Sequence, residues 1–258
     1  MLKEYWRILH TTKSFPRLFT TSSHGGSRII HYPQSTEIPT NSLYLIEDAV
    51  SKEEEQILIN YLHNRFKNKK YQKAHWDSVI TRYRETECDD LPKDVDDIIR
   101  KIKEIIQDVM GENFTFLSPH AIDLAAKGGF IGPHIDSIKF SGKIVAGLSL
   151  VSSRLMELVH EENEAYLEPK ALPPSHPKSI EMILYPRSLY ILTGLLRYNY
   201  THQIYGTTRR LENEEGVKEE PMHYRYKGIS NPMLLEEEPQ RRLSIILRDV
   251  KSDSKQVI

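Results

Sequence analysis

The spacing of apolar positions divides the chain near residue 113. Before it, two stretches follow the helical period. Ser51 precedes Glu54 by three residues, a capping box ahead of Ile57, Leu58, Tyr61 and Leu62, and this predicts a helix over 51–66. Val95, Ile98, Ile99, Ile102, Ile105, Ile106 and Val109 form one apolar stripe, with Gly111 as its stop, and predict a second helix over 93–110. Between them, Tyr71 to Glu87 reads as extended around Trp76, Val79, Ile80 and Tyr83. Beyond residue 113 the period falls to two and the segments shorten. Strands are expected at 114–124, 130–135, 143–151, 154–160, 180–184, 188–193, 199–205 and 241–249. Two helices followed by many short strands imply a mainly β, α+β fold, a sandwich or jelly roll with helices on one side. Two charged or Pro-rich stretches, 161–179 and 206–240, interrupt the strands and read as long loop inserts.

The first 30 residues differ from the rest. Leu2, Tyr5, Trp6 and Leu9 share a helical face, Lys3, Arg7, Lys13, Arg17 and Arg28 meet one acid, Glu4, and hydroxyl residues cluster at Thr20 to Ser23. A basic, hydroxyl-rich, amphipathic start has the character of a mitochondrial transit peptide over 1–30, with a disordered tail as the alternative. The domain then runs over 40–250, and 251–258 is a tail. The whole chain carries a formal charge of −1, so the five bases and one acid of residues 1–30 leave the remainder near −5. That balance offers no broad electrostatic footprint for nucleic acid. The single cysteine, Cys88, excludes an intrachain disulfide and a thiolate metal cluster. No apolar run approaches the ~20 residues of a membrane-spanning helix.

The chemistry is concentrated in the strand-rich part. His-x-Asp is a cheap motif in a chain with 11 histidines, and it occurs twice, as His75-Trp76-Asp77 and His134-Ile135-Asp136. The second follows a glycine-rich turn, Lys127 to Pro133, that feeds a strand, and alternation puts His134 and Asp136 on one face. His75 lies ahead of the strands that must supply a third ligand and reads as a satisfied histidine beside a partly buried Trp76. The third ligand is to be sought among His160, His176, His202 and His223. His176 and His223 fall in the expected loops and His160 enters an acidic run, which favours His202 in the alternating Tyr198, Tyr200, His202 stretch. Two imidazoles and one carboxylate on one face of an octahedral metal are the ligand set of a non-haem iron oxygenase. A zinc hydrolase can use the same three ligands. It would have no use for Arg242-Leu-Ser-Ile-Ile-Leu-Arg248, where both arginines share a strand face with Ser244 and Ile246. Inward-facing arginines need anions, and a guanidinium suits a carboxylate. Solvated arginines on an edge strand are the plainer alternative.

Together, His134-x-Asp136, His202 and Arg242-x5-Arg248 resemble the AlkB family of 2-oxoglutarate oxygenases. The flanking Pro-His-Ile-Asp-Ser-Ile-Lys-Phe, Ala-Gly-Leu-Ser-Leu, Ser-Leu-Tyr-Ile-Leu and Arg-Tyr-x-x-x-His are similar to its mitochondrial AlkB-homologue-7 branch, from about Leu43 to Asp249. The resemblance implies a double-stranded β-helix (jelly roll) buttressed by two N-terminal helices. It implies Fe(II) on His134, Asp136 and His202, and 2-oxoglutarate as co-substrate with O2. Arg242 would pair with the distal carboxylate of 2-oxoglutarate, Arg248 would lie near its chelating end, and Tyr190 would give it a hydroxyl. The branch implies the mitochondrial matrix, a protein or metabolic target, and a link to fatty acid metabolism and regulated necrosis. Demethylation of methylated bases in mitochondrial RNA is the alternative, and a non-enzymatic interaction module the third. Nucleobase-repairing relatives carry Asn-x-Tyr about ten residues ahead of the first ligand, where this chain has Asp123-Leu124-Ala125. They also carry an aromatic, basic lid, for which Tyr71 to Cys88 is short.

Overall fold

A computed structural model of the chain describes residues 20–24, 27–32, 42–160, 179–206, 208–213, 216–221 and 240–251, with side chains for 42–160, 179–206 and 240–251. Both expected helices are present, as α1 (Lys52–Phe66) and α2 (Lys93–Met110). Ser51 closes the capping box: its hydroxyl accepts the Glu54 N–H at 3.2 Å and its own N–H donates to Glu54 Oε2 at 2.7 Å. Gly111 ends α2 at φ 64°, a left-handed turn that glycine adopts without the strain a Cβ brings.

The first strands among the described residues are β1 (Thr20–His24), β2 (Ser27–Tyr32) and β3 (Leu43–Ile46). Between the helices lie β4 (Gln72–Ala74) and β5 (Ile80–Glu87). After α2 come β6 (His120–Leu124), β7 (Phe130–His134), β8 (Val145–Leu150), β9 (Arg154–His160), β10 (Ser179–Leu184) and β11 (Leu189–Leu192). A one-turn helix, α3 (Gly194–Tyr198), leads into β12 (Tyr200–Ile204). β13 (Thr208–Asn213) and β14 (Gly216–Pro221) pair as a hairpin, and β15 (Arg242–Arg248) closes the series.

Except for that hairpin, the strands form one antiparallel sheet in the order β1-β2-β3-β11-β8-β15-β6-β5-β7-β12-β9-β10, with β4 on β5. The sheet curls on itself into a jelly roll. β5 carries it from one half to the other: Tyr83–Glu87 pair with β6, while Ile80 and Thr81 pair with β7. Arg82 stands between the two pairings at φ 44°, where the strand changes partner.

Period-two alternation in the central strands feeds two cores. Tyr44, Ile46, Leu148, Ile191, Leu243, Ile245 and Leu247 face outward and pack with the stripe of α2 and with Leu58, Leu62 and Phe66 of α1. Leu43, Leu45, Tyr190, Leu192 and Ile246 face inward, toward Met156, Leu158, Tyr200 and Ile204 of the other half. Full burial of each such aliphatic side chain stabilises by about 1.5–3 kcal/mol, so the helices are held on one face of this half while its other face lines a site.

The differences from expectation have local causes. The strand expected from 114 begins only at His120, because Pro119 has no N–H for a ladder, and Phe116 makes a single bridge to Asp249. The 206–240 stretch contains the β13–β14 hairpin rather than being loop throughout. Trp76 is exposed (88%), not partly buried. β1 and β2 fall partly within residues 1–30. The amphipathic face at 2–9, the 161–178 and 222–239 stretches with His176 and His223, and 252–258 lie outside the described residues. No helix of the described residues is long and apolar enough to cross a membrane.

Candidate metal centre and co-substrate cavity

β7 and β12 pair with His134 directly opposite His202, and a bulge follows before Ile204 meets Ile131. Cross-strand partners point to the same face, so the two imidazoles meet, with ring centroids 4.2 Å apart. Asp136 lies two residues past the end of β7 and turns back until Oδ1 is 3.4 Å from His134 Nε2. One ligand atom from each of the three lies within 4.8 Å of those of the others. His134 Nδ1 is 3.0 Å from the Gly132 carbonyl oxygen, which accepts the N–H of that tautomer and leaves Nε2 toward Asp136 and His202.

Electrostatics suit a cation at this point. Burial, and then the neighbouring His134, push the His202 imidazole down to about 3, so its nitrogen lone pair is free at neutral pH. Burial opposes ionisation of Asp136, but the His134 hydrogen bond and the Arg248 charge hold its carboxyl well below the usual range. For His134 burial acts downward, and the Asp136 hydrogen bond and charge more than offset it, raising the imidazole. Two imidazoles and a carboxylate whose ligand atoms converge form a donor set that fits a divalent metal ion.

The three side chains open on a cavity of about 780 Å³. Its far wall is the inward face of β11 and β15, with Tyr190, Arg242, Ile246 and Arg248. Arg242 is 1% exposed, donates from Nε to Ser149 Oγ at 3.1 Å, and leaves Nη2 buried without a partner. Burial lowers its guanidinium to about 10, and raises the adjacent Tyr190 phenol to about 12. Tyr190 has room because Gly147 lies beneath its ring on β8: a Cβ there would stand 2.5 Å from Cζ and 2.6 Å from the hydroxyl oxygen. Arg248 differs from Arg242 in having a partner, donating from Nε to Asp136 Oδ2 at 3.0 Å.

The chain is 37% identical over 157 residues to the mitochondrial alpha-ketoglutarate-dependent dioxygenase alkB homolog 7 of Mus musculus, covering 60% of this chain and 63% of that protein. The protein of the same name from Bos taurus is 37% identical over 156 residues, with the same coverage. The chain is similar to AlkB homolog 7. It spans a little under two thirds of the length of the curated relatives it matches. No family model matches it. Among solved structures it is similar in fold to OsALKBH1, with a TM-score of 0.51 at 10% identity, over 81% of this chain and 96% of that one.

The structure thus brings together all six residues singled out by the motifs: His134, Asp136 and His202 on one wall and Tyr190, Arg242 and Arg248 on the other. His160 instead packs its ring against Tyr200 at 5.3 Å. His75 stands outside the three-residue cluster, bonded to Asp77, yet both line the same cavity. Arg197 opens the Arg-Tyr-x-x-x-His stretch, but the sequence assigned it no role. Its guanidinium is buried behind the site, donating to the Asp136 carbonyl at 2.8 Å, the Ser137 carbonyl at 3.3 Å and Ser141 Oγ at 2.8 Å. A signal was available in its position five residues ahead of His202, but only the turn of α3 aims it at Asp136. Where nucleobase-repairing relatives carry Asn-x-Tyr, Asp123 is fully buried and bound by Arg84 and Tyr71, so it braces β6 against β5.

Proposed function

We propose that the chain is a mitochondrial Fe(II)- and 2-oxoglutarate-dependent dioxygenase that oxidises a carbon–hydrogen bond of a protein or metabolic target. The observation that carries this reading is Arg242. A guanidinium 1% exposed, with an unpartnered nitrogen, in the wall of a cavity that also holds a His/Asp/His cluster, calls for an anionic ligand beside a metal. A dicarboxylate that chelates the metal at one end and meets Arg242 at the other satisfies both.

His134, Asp136 and His202 would hold the iron, and Arg242 with Tyr190 would hold the distal carboxylate. Arg248 orients Asp136 and lies toward the chelating end. Iron, 2-oxoglutarate and O2 together supply the oxidation of a carbon–hydrogen bond when bound. The protein's part is to bind, orient and keep water out, for which Ile122, Ile131, Ile204 and Ile246 line the cavity. The names of the mouse and bovine relatives support the mitochondrion, and the basic, amphipathic start supports a transit peptide there, with the matrix as the destination. The branch's link to fatty acid metabolism and regulated necrosis belongs to the same proposal. The acidic charge of the remainder and the missing Asn-x-Tyr favour a protein or metabolite over methylated bases in RNA.

Succinate release from labelled 2-oxoglutarate tests the reading. His134→Ala should abolish it, and Arg242→Met should raise KM for 2-oxoglutarate by on the order of 100-fold, the scale of a lost buried charge pair. Turnover by His134→Ala at the wild-type rate would sink the assignment.

A further inference from the structure

One wall of the cavity is used by neither the metal cluster nor the arginine pair. The turn before β5 supplies His75 and Asp77, β5 supplies Glu85, β6 supplies His120, and all four line the cavity. They form two imidazole–carboxylate pairs: His75 Nδ1 lies 2.8 Å from Asp77 Oδ1, and His120 Nε2 lies 2.9 Å from Glu85 Oε2. Asp77 Oδ1 also accepts the Val79 N–H at 2.9 Å, which fixes the carboxylate on its turn. In each pair the second carboxylate oxygen takes no side-chain hydrogen bond among the described residues.

Trp76, between His75 and Asp77, is 88% exposed, with its ring 5.4 Å from that of His75. A single exposed leucine would mean little, but an exposed indole near the His75 ring and adjacent in sequence to two residues of an imidazole–carboxylate wall is a specific combination. Aromatic faces attract ammonium and alkylammonium groups through the ring quadrupole, and carboxylates attract them through charge. Both acids are held ionised. The His120 hydrogen bond keeps Glu85 below the usual range against its burial. For Asp77 a burial effect is outweighed by the Val79 and His75 hydrogen bonds.

No lysine or arginine among the described residues makes an ion pair with Asp77 or Glu85. Lys69 donates to the backbone carbonyl of Glu85 at 2.9 Å, leaving the side-chain carboxylate uncovered. Lys139 lines the cavity from the β7–β8 loop, with its ammonium 5.4 Å from the Phe140 ring centroid. Arg248 is bound by Asp136, and Arg242 with its unpartnered nitrogen marks the cavity as built for a ligand. Arg242 thus stands on one wall of the cavity and two carboxylates on another, which gives a bound target one orientation.

We propose that the wall of His75, Asp77, Glu85 and His120, with the exposed Trp76 between the first two, is the target subsite, and that it takes the cationic nitrogen of a lysine-type side chain, free or N-methylated, presented by a protein segment. A nucleic-acid target would bring its phosphates against the same two carboxylates. The proposal rests on the oxygenase reading, because the two share one cavity, and it deepens that reading by naming a substrate class.

The test uses the full chain loaded with Fe(II) and 2-oxoglutarate under nitrogen. Hexapeptides with a central lysine, trimethyl-lysine, norleucine or glutamate in an Ala/Gly background are titrated by calorimetry. The lysine or trimethyl-lysine peptide should bind at least about tenfold more tightly than norleucine, a difference of 1.4 kcal/mol. Glu85→Gln with Asp77→Asn should erase that preference, and Trp76→Ala should reduce it, while the Kd for 2-oxoglutarate stays at the wild-type value. Equal binding of norleucine, no binding of either cationic peptide at millimolar concentration, or a preference that survives the double substitution overturns the proposal. Tighter binding of a methylated RNA oligonucleotide than of any peptide overturns it as well. Wild-type protein that fails to bind 2-oxoglutarate would instead refute the oxygenase reading, so the two failures are distinguishable.

Discussion

Two arginines on one strand face meet different fates, and the difference comes from what lies opposite each. Arg248 reaches Asp136 and gains a charge partner, which raises its guanidinium despite burial. Arg242, six residues earlier, meets Ser149 and an open cavity, and burial lowers it. An uncompensated buried cation costs several kcal/mol, so a site that keeps one has a ligand to offset it. His202 makes the complementary point with a proton. Its folded value is about 3 against an ordinary 6.5, so between those values the unfolded chain binds a proton that the folded one refuses. Stability from this group is therefore present above about pH 6.5 and lost as pH falls toward 3. His134 is raised and acts in the opposite sense, contributing below its unfolded value and losing that contribution as pH rises through its folded one. In chelator-treated protein, denaturant unfolding at pH 7 and pH 5 should show wild type losing on the order of 2 kcal/mol more than His202→Asn. An identical loss in the two proteins would mean that His202 titrates normally.

The long helices and most strands beyond residue 113 could be read from the sequence; β3 and α3 could not. β15 shows period two without exception, Leu243, Ile245 and Leu247 in the helix-covered core and Arg242, Ser244, Ile246 and Arg248 on the other face. α2 spans 18 residues and its stripe is unmistakable. β3 has four consecutive apolar residues, buried on both faces, a run that carries no period. α3 has five residues and no side-chain cap, yet it decides where Arg197 points. From α3 the guanidinium crosses to the segment after β7 and binds the backbone of Asp136 and Ser137, coupling the two strands that carry the metal cluster. Groups that orient metal ligands typically contribute 10–100-fold to metal affinity. Arg197→Met should accordingly weaken Mn(II) binding by roughly that factor, with partial rescue by Arg197→Lys and no change in KM for 2-oxoglutarate at saturating metal. Wild-type Mn(II) affinity in a folded Arg197→Met protein would reduce the arginine to a packing role.

At the scale of the molecule, the curled sheet places the cavity between its two halves, and this is where linear reading gave least. The metal cluster could be found by motif, but nothing in the spacing of His75-x-Asp77 says that it borders the same cavity as His134-x-Asp136. That follows from β5 lying between β6 and β7 in the sheet, which sets the turn before it beside both walls. The same architecture makes ligand binding a clamp. His134 and His202 belong to the β7–β12 half, while Arg242 and Tyr190 belong to the β15–β11 half, so metal and co-substrate together tie one half to the other. A ligand at 100 times its Kd stabilises the folded state by about 2.7 kcal/mol. For a chain of this size that corresponds to a rise in Tm of roughly 5–10 °C. Mn(II) alone should give part of the rise, and 2-oxoglutarate should add to it only when the metal is present, since chelation completes its binding. His134→Ala should lose both increments in a thermal-shift measurement, and Arg242→Met should keep the first and lose the second. A full 2-oxoglutarate increment in metal-stripped protein would mean that the co-substrate is held without the cluster, and that the two halves of the sheet are not joined through it.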